Sequence, residues 1–201
     1  MLTLVRHAAT EWSGIRYCGR TDAPLSDAGR EQVAPLVAYL SAVTQRHTTV
    51  LTSPARRCRD TASPIAAALQ GELLVDDRLR EIDFGDAEKL TFAEIEARWP
   101  SLAAALAAGE TGIDWPGGER CGDFTERVQA VWADLSRNAT DVVIVTHGGP
   151  LRAMLDIACP SRPSTPPLHI APADVVRLVG DEAWAVDAVW SARDGAQPWP
   201  S

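Results

Sequence analysis

Residues 142–150 read VVIVTHGGP. Val142 to Val145 form a fully apolar strand that stops at Thr146 and His147. Pro150 stands where a helix would take its first residue, since its fixed φ and missing N–H suit that place. Leu151, Met154 and Leu155 follow at helical spacing. This succession of apolar strand, polar stop and helix recurs along the chain, and it decides the fold class.

Leu2 to Val5 reads as a short buried strand, stopped by Arg6 and His7 within LVRHAATEW, residues 4–12. Ser26 is a candidate cap for a helix whose Val33, Leu36, Val37 and Leu40 fall at i, i+3, i+4 and i+7. Pro35 lies inside that pattern and predicts a kink or a shifted start. Thr49–Thr52 is a second strand, followed by a helix with Cys58, Ala62, Ile65, Ala66 and Leu69 on one face and Gly71 to close it. Pro64 again falls within the helical pattern. Leu73–Val75 is a third strand. Thr91 with Glu94 makes a capping box, so a helix starts at Thr91 and runs to the break at Pro100. After DWPGGE, residues 114–119, comes an amphipathic helix carrying Phe124, Val128, Val131, Trp132 and Leu135. PSRPSTPP, residues 160–167, is a loop, and Val175–Val179 with Ala183–Val189 form a final strand pair.

Strands alternating with helices predict an α/β fold: one domain over residues 1–201, with a mostly parallel sheet flanked by helices on both faces. Residues 85–137 form a helical insertion, and the tail 192–201 is expected to be loose.

A chain of 201 residues buries a core without staples, and 46% apolar with 23% charged residues is ordinary globular composition. No run of 18 apolar residues occurs. Arg6 and His7 interrupt the N-terminus too soon for a secretion signal, so a cytoplasmic location is expected. Cys18, Cys58, Cys121 and Cys159 are scattered without C-x-x-C spacing, unlike a zinc site or a disulfide framework. A net charge of -8 speaks against nucleic acid or an anionic membrane as partner. A local arginine cluster still leaves room for a small anion.

In such sheets, sites form outside the carboxyl ends of the strands. Arg6-His7 and Thr146-His147 each follow an apolar strand there. Ser53 and Pro54 follow another, with Arg57 on the first turn of the next helix. Two histidines and two arginines thus converge on one edge.

The residues in order carry a resemblance. LVRHAATEW resembles the Arg-His-Gly-x-Thr signature of the histidine phosphatase (phosphoglycerate mutase-like) superfamily, and GRTDAPLSDAGREQ is similar to the segment that follows it. TSPARRCRDTA resembles Ser-Pro-x-x-Arg-x-x-x-Thr-Ala, and LREIDFGDAEKLTFAEI resembles Leu-x-Glu-x-x-x-Gly-x-x-Glu. PGGERCGDFTERV and VVIVTHGG complete the order, across residues 2 to about 155. The resemblance implies a phosphoglycerate mutase-like fold, with His7 as the nucleophile that becomes phosphorylated. Arg6 and Arg57 would clamp the phosphoryl oxygens as planar forks. His147 would donate to them, and the helix start at Gly148 would add partial positive charge. Glu81 would protonate the leaving oxygen and then take a proton from water, with Glu88 as the rival carboxylate. Ser13, Cys18, Gly19 and Arg20 would border the substrate, and Trp12 is the tryptophan expected to touch it. No metal and no cofactor are implied. The expected partner is a small phosphorylated metabolite, of α-ribazole-phosphate or sugar-phosphate type, and the oligomeric state is open between monomer and homodimer.

Departures from the family pattern are Ala8 for Gly, Ser13 for Asn, and Ala87 and Lys89 for the Trp and Gly that often flank Glu88. Arg56 competes with Arg57 for the inward position, and the spacing to Thr61 favours Arg57. His47 reads as a surface residue, and His169 follows the proline-rich loop. Two alternatives accompany a metal-independent phosphomonoesterase. A mutase would return the phosphoryl group to substrate, but the stretch from Glu81 to His147 is too short for the insertion such enzymes carry. A noncatalytic phosphate-binding regulator should lack the nucleophile or the acid.

Overall fold

The apolar run at 142–146 is an interior strand of a seven-stranded sheet in a computed structural model, which describes residues 1–137, 141–160, 170–180 and 183–197. The strands are β1 (Leu2–Arg6), β2 (Thr49–Thr52), β3 (Leu73–Val75), β4 (Val142–Thr146), β5 (Val175–Val179), β6 (Ala185–Ser191) and β7 (Gly195–Gln197). Their order is β3-β2-β4-β1-β5-β6-β7. β1 to β4 and β6 run one way, and β5 and β7 run against them.

Alternate side chains of the central strands enter different layers. Val5, Val143 and Val145 meet Leu36 and Leu40 of α1 (Asp27–Val43) and Ile65 and Leu69 of α2 (Arg56–Leu69). Leu2, Leu4 and Ile144 meet Val128 and Trp132 of α5 (Cys121–Arg137) and Leu151, Met154 and Leu155 of α6 (Gly148–Ala158). Helices therefore cover both faces. Between β3 and β4 the chain forms α3 (Phe92–Arg98) and α4 (Pro100–Ala107) over a smaller cluster of Ala87, Ile95, Ala103 and Trp115. Among the described residues no helix is long and apolar enough to cross a membrane.

Several local expectations need correction. α1 starts directly after Ser26, whose side chain accepts from Gly29 N–H, and it runs through Pro35 without a shifted start. An interior proline costs about 3 kcal/mol; burying Leu36 and Leu40 contributes about 1.5–3 kcal/mol each, so packing wins. α2 likewise contains Pro64. It closes on Gln70, in the left-handed region at φ 54°, and not on Gly71. Gly71 is needed for a close approach, because a Cβ there would sit 1.9 Å from Thr48 O. α6 begins at Gly148, so Pro150 is its third residue, still in the first turn where N–H groups lack helical partners. The last strand pair is Val175–Val179 with Ala185–Ser191, two residues later than expected for its second member. Part of the tail expected to be loose, Gly195–Gln197, pairs with β6, because a tight turn brings the chain back along that strand. The loop at 161–167 and the end of the tail, 198–201, lie outside the described residues.

Candidate active site

The parallel register aligns three strand ends. Arg6 of β1 sits beside Thr146 of β4, and Thr52 of β2 sits beside Val145. The next residues, His7, Ser53 and His147, therefore emerge together. A cleft of about 170 Å³ opens above them, lined by Arg6, His7, Trp12, Arg57, Glu81 and Phe84 among others. A second cavity of about 130 Å³ is lined by Gly19, Arg20, Arg80 and His147. Glu81 lines both.

His7 is held by two directed contacts. Arg57 Nε donates to His7 Nε2 at 3.3 Å, and His7 Nδ1 lies 2.8 Å from Ala8 O. A guanidinium has no acceptor, so Nε2 carries the lone pair and Nδ1 carries the hydrogen. Burial, reinforced by the charges of Arg57 and Arg6, holds the imidazole well below its ordinary pKa. The neutral tautomer with a bare Nε2 results. Ala8 in place of Gly is buried without difficulty, and its N–H donates to Thr61 Oγ1 at 3.1 Å.

Arg57 is 1% exposed, whereas Arg56 faces outward and pairs with Asp60. Besides Nε, the Arg57 guanidinium donates to Thr21 O at 2.8 Å, Cys18 O at 3.1 Å and Gly19 O at 2.9 Å. The other side of this loop is held by Glu88. Its carboxylate accepts from Gly19 N–H at 2.9 Å, Arg20 N–H at 2.8 Å and Thr21 Oγ1 at 2.8 Å. Two consecutive peptide groups, 18–19 and 19–20, thus each give their carbonyl to Arg57 and their N–H to Glu88. Gly19 has no room for a side chain, since a Cβ would lie 2.0 Å from Ile82 O. Glu88 is thus spent on the loop, and it is Glu81 that reaches the cleft.

Glu81 is 9% exposed, and its carboxylate accepts from Gly149 N–H at 3.1 Å, at the start of α6. Gly148, expected at the helix start, is the first residue of α6, and its neighbour Gly149 makes this contact. A Cβ on Gly149 would sit 2.3 Å from Glu81 Oε1, while one on Gly148 would only touch Arg6 Cζ at 3.5 Å. The Gly-Gly doublet was the available signal. Arg6 donates to Ile170 O at 2.5 Å, and its buried Nε has no partner among the described residues. An unpartnered buried donor beside a cleft suits an incoming anion.

The remaining predicted residues are placed as follows. Ser13 lines the cleft, with its Oγ accepting from Thr10 N–H at 2.9 Å. Cys18 lines it too, and burial pushes its thiol above the ordinary value. Arg20 is exposed, 3.6 Å from Asp83. His147 is fully buried, with ring centroid 5.1 Å from that of His7. Its Nε2 lies 2.8 Å from Ser53 Oγ, a partner the sequence did not suggest. Cys58 adjoins it at 3.4 Å as a thiol, because burial pushes its pKa up to about 12. Lys89 occupies a left-handed position at φ 68°, where glycine is free and other residues carry about 1–2 kcal/mol of strain. His47 is exposed and remote from the cleft lining. His169 lies outside the described residues.

Two buried neutral histidines make stability depend on pH. Burial lowers the pKa of both His7 and His147, whereas in the unfolded chain each takes a proton below about pH 6.5. The unfolded state binds more protons on the acid side, so stability falls as pH drops below 6.5. Urea unfolding between pH 6.5 and 5.5 is expected to show a loss of about 1 kcal/mol for each histidine. His7→Asn should lose about half of that slope, and a pH-independent midpoint would refute the neutral pair.

Two arginines around a buried neutral histidine, on a mostly parallel α/β sheet, define a class of protein, and comparison names it. The model of the histidine phosphatase superfamily (branch 1) matches residues 2–190, and the chain belongs to that family. Phosphoglycerate mutase-like protein 4 of Arabidopsis thaliana is 31% identical over 199 residues, covering 94% of this chain and 84% of the relative. Phosphoserine phosphatase 1 of Hydrogenobacter thermophilus is 34% identical over 158 residues, covering 76% and 73%. The chain spans only 43% of the length of a longer mycobacterial relative. Among solved structures, mycobacterial glucosyl-3-phosphoglycerate phosphatase in complex with VO3 superposes with a TM-score of 0.80 at 30% identity, covering 92% of this chain and 96% of that one.

Proposed function

We propose that the chain is a phosphomonoesterase that hydrolyses a small phosphorylated metabolite through phospho-His7, without a metal. The observation that carries this reading is the pair of contacts on His7, from Arg57 Nε and to Ala8 O, which leaves a neutral nucleophile in the cleft. The ester's phosphoryl group takes over the Nε–H groups of Arg57 and Arg6, and His7 Nε2 attacks phosphorus. The P–N bond forms as the bond to the alcohol breaks, and Glu81 gives its proton to the departing oxygen. Glu81 then takes a proton from water, whose oxygen displaces His7 and releases inorganic phosphate. His147 exchanges Ser53 for a phosphoryl oxygen, and the α6 N-terminus at Gly148 adds partial positive charge. Ser13, Cys18, Gly19 and Arg20 border the substrate.

Cavities of about 170 and 130 Å³ are small beside the ~300–1,000 Å³ of drug-sized sites. That favours a small ester, with α-ribazole phosphate and sugar phosphates as candidates. The relatives' names add phosphoserine and glucosyl-3-phosphoglycerate to the panel.

Incubation with a phosphoester followed by an acid-free quench should trap phosphate on the His7 peptide, seen by mass. Inorganic phosphate should be released, and release should persist in EDTA because arginines supply the positive charge. Phosphate release with no histidine-bound intermediate would sink the mechanism, and return of the phosphoryl group to an alcohol would favour a mutase. Ranking kcat/KM across the panel identifies the substrate.

The loop strap carries its own expectation. Glu88→Ala removes the acceptor on which the loop's N–H groups converge, which frees Arg57 to drift from His7. A misplacement near 1 Å costs about 10²-fold in rate. Steady-state kinetics should show kcat/KM reduced by about 10–10²-fold in a variant that still melts cooperatively.

A further inference from the structure

Arg127 was not singled out by the sequence, yet its guanidinium is fully bonded. The side chain is 17% exposed. Nε and Nη2 form a fork on the Glu119 carboxylate at 2.6 and 2.8 Å. Nη1 donates to Arg78 O and Arg80 O, both at 2.8 Å, and Nη2 donates to Glu81 O at 3.1 Å. All five N–H groups of a guanidinium are thereby used. The neighbouring carbonyl, Leu79 O, accepts from Thr146 Oγ1 at 2.8 Å. Every backbone carbonyl from 78 to 81 is therefore held by a side chain of α5 or β4. Glu119 is tied to the same segment from its own backbone, since Glu119 N–H donates to Asp83 O at 2.9 Å.

This matters because residues 80–84 carry no helix or strand of their own. The backbone of Glu81 gets its position from Arg127, while its carboxylate gets its direction from Gly149 N–H. We infer that Arg127 is a positioning residue for proton transfer, holding the Glu81 backbone so that the carboxyl meets the leaving oxygen. The inference rests on the reading of Glu81 as proton donor. α5 has an anchorage independent of Arg127, through Val128, Val131 and Trp132 in the core. Lysine at 127 keeps the charge, but a single ammonium cannot span Glu119 and three carbonyls at once.

The distinguishing readout is leaving-group dependence. kcat/KM covers the steps up to departure of the alcohol. An aryl ester with a good leaving group needs little help from an acid, and an alkyl ester needs much. For Arg127→Lys, the alkyl-to-aryl ratio of kcat/KM is expected to fall about 10–10²-fold. Glu119→Gln, which loosens the anchor of Arg127 and keeps all the carbonyl contacts, should move the ratio in the same direction by less. It serves as the test if Arg127→Lys does not fold. In the double variant Glu81→Gln/Arg127→Lys, the ratio should match that of Glu81→Gln alone, because the arginine acts through the glutamate. Equal losses on both esters, or a fully additive double variant, would assign Arg127 to stability only and overturn the inference. If Glu81→Gln itself showed no leaving-group dependence, the proton-donor reading would fail separately.

Discussion

His7→Ala is expected to abolish hydrolysis of every phosphoester the parent accepts, with a loss in kcat on the order of 10⁴–10⁶, comparable to removing the nucleophile from other covalent catalysts. The size follows from the role proposed for the imidazole. Without it water must displace the alcohol directly, in one hard step where there were two easier ones. Arg6, Arg57 and the α6 N-terminus stay in place, so phosphate binding should survive. The variant is expected to bind inorganic phosphate or vanadate with little change while turning over nothing. It also removes one of the two buried imidazoles, so the fold should tolerate acid better. Activity near that of the parent would mean that another group attacks phosphorus, and Arg57 would then be serving a different acceptor.

Glu81→Gln is expected to divide substrates by leaving group. Glutamine keeps the shape and can still accept from Gly149 N–H, but it has no proton to give to an alkoxide. For alkyl esters kcat/KM should fall by about 10²–10⁴-fold, the usual worth of a placed general acid. For an aryl ester with a stable leaving anion it should fall far less. The second half of the cycle suffers as well, because water attacking phosphohistidine loses its base. Phosphohistidine is therefore expected to accumulate with the aryl ester and to show as a burst followed by slow turnover. Uniform loss on both esters would remove Glu81 from the proton-transfer role.

Features written in short stretches of chain are legible in the residues themselves. β2 and β3 fall on the expected residues, and Thr91 closes its capping box with Glu94. In each case an apolar run or a cap motif contains its own signal. His7 and His147 come together as expected because the strand ends before them are readable. Arg57 follows on the first turn after a third strand, and Glu81 is placed by the motif alone. What the residues do not reveal depends on distant backbone. Glu88 binds N–H groups 67 to 69 residues away, and Arg127 binds carbonyls 46 to 49 residues away. Carbonyls and N–H groups are the same for every residue, so composition carries no trace of such contacts. β7 is hidden for a related reason. Gly195–Gln197 has little strand character, and its pairing is supplied by β6. Ser53 as the partner of His147 belongs to the same class, a contact between two strand ends that only the register brings together.

The peptide groups between Glu88 and Arg57 bear on how such an enzyme changes substrate. Charge on the carboxylate reaches the guanidinium through backbone dipoles; the Arg20 side chain takes no part in that link, and the Cys18 thiol adds only a contact to Thr21 O at 3.4 Å. Cys18 lines one cavity and Arg20 the other, and the proposed function puts the ester's alcohol portion there. On the proposed function, selection can rewrite residue 20, and residue 18 with the loss of one thiol contact, to fit a new metabolite while the peptide groups keep their grip on Arg57. Gly19 is the exception, because any side chain there collides with Ile82 O. Affinity for the variable half of the substrate and aim at phosphorus are in this way inherited separately, within a single four-residue loop.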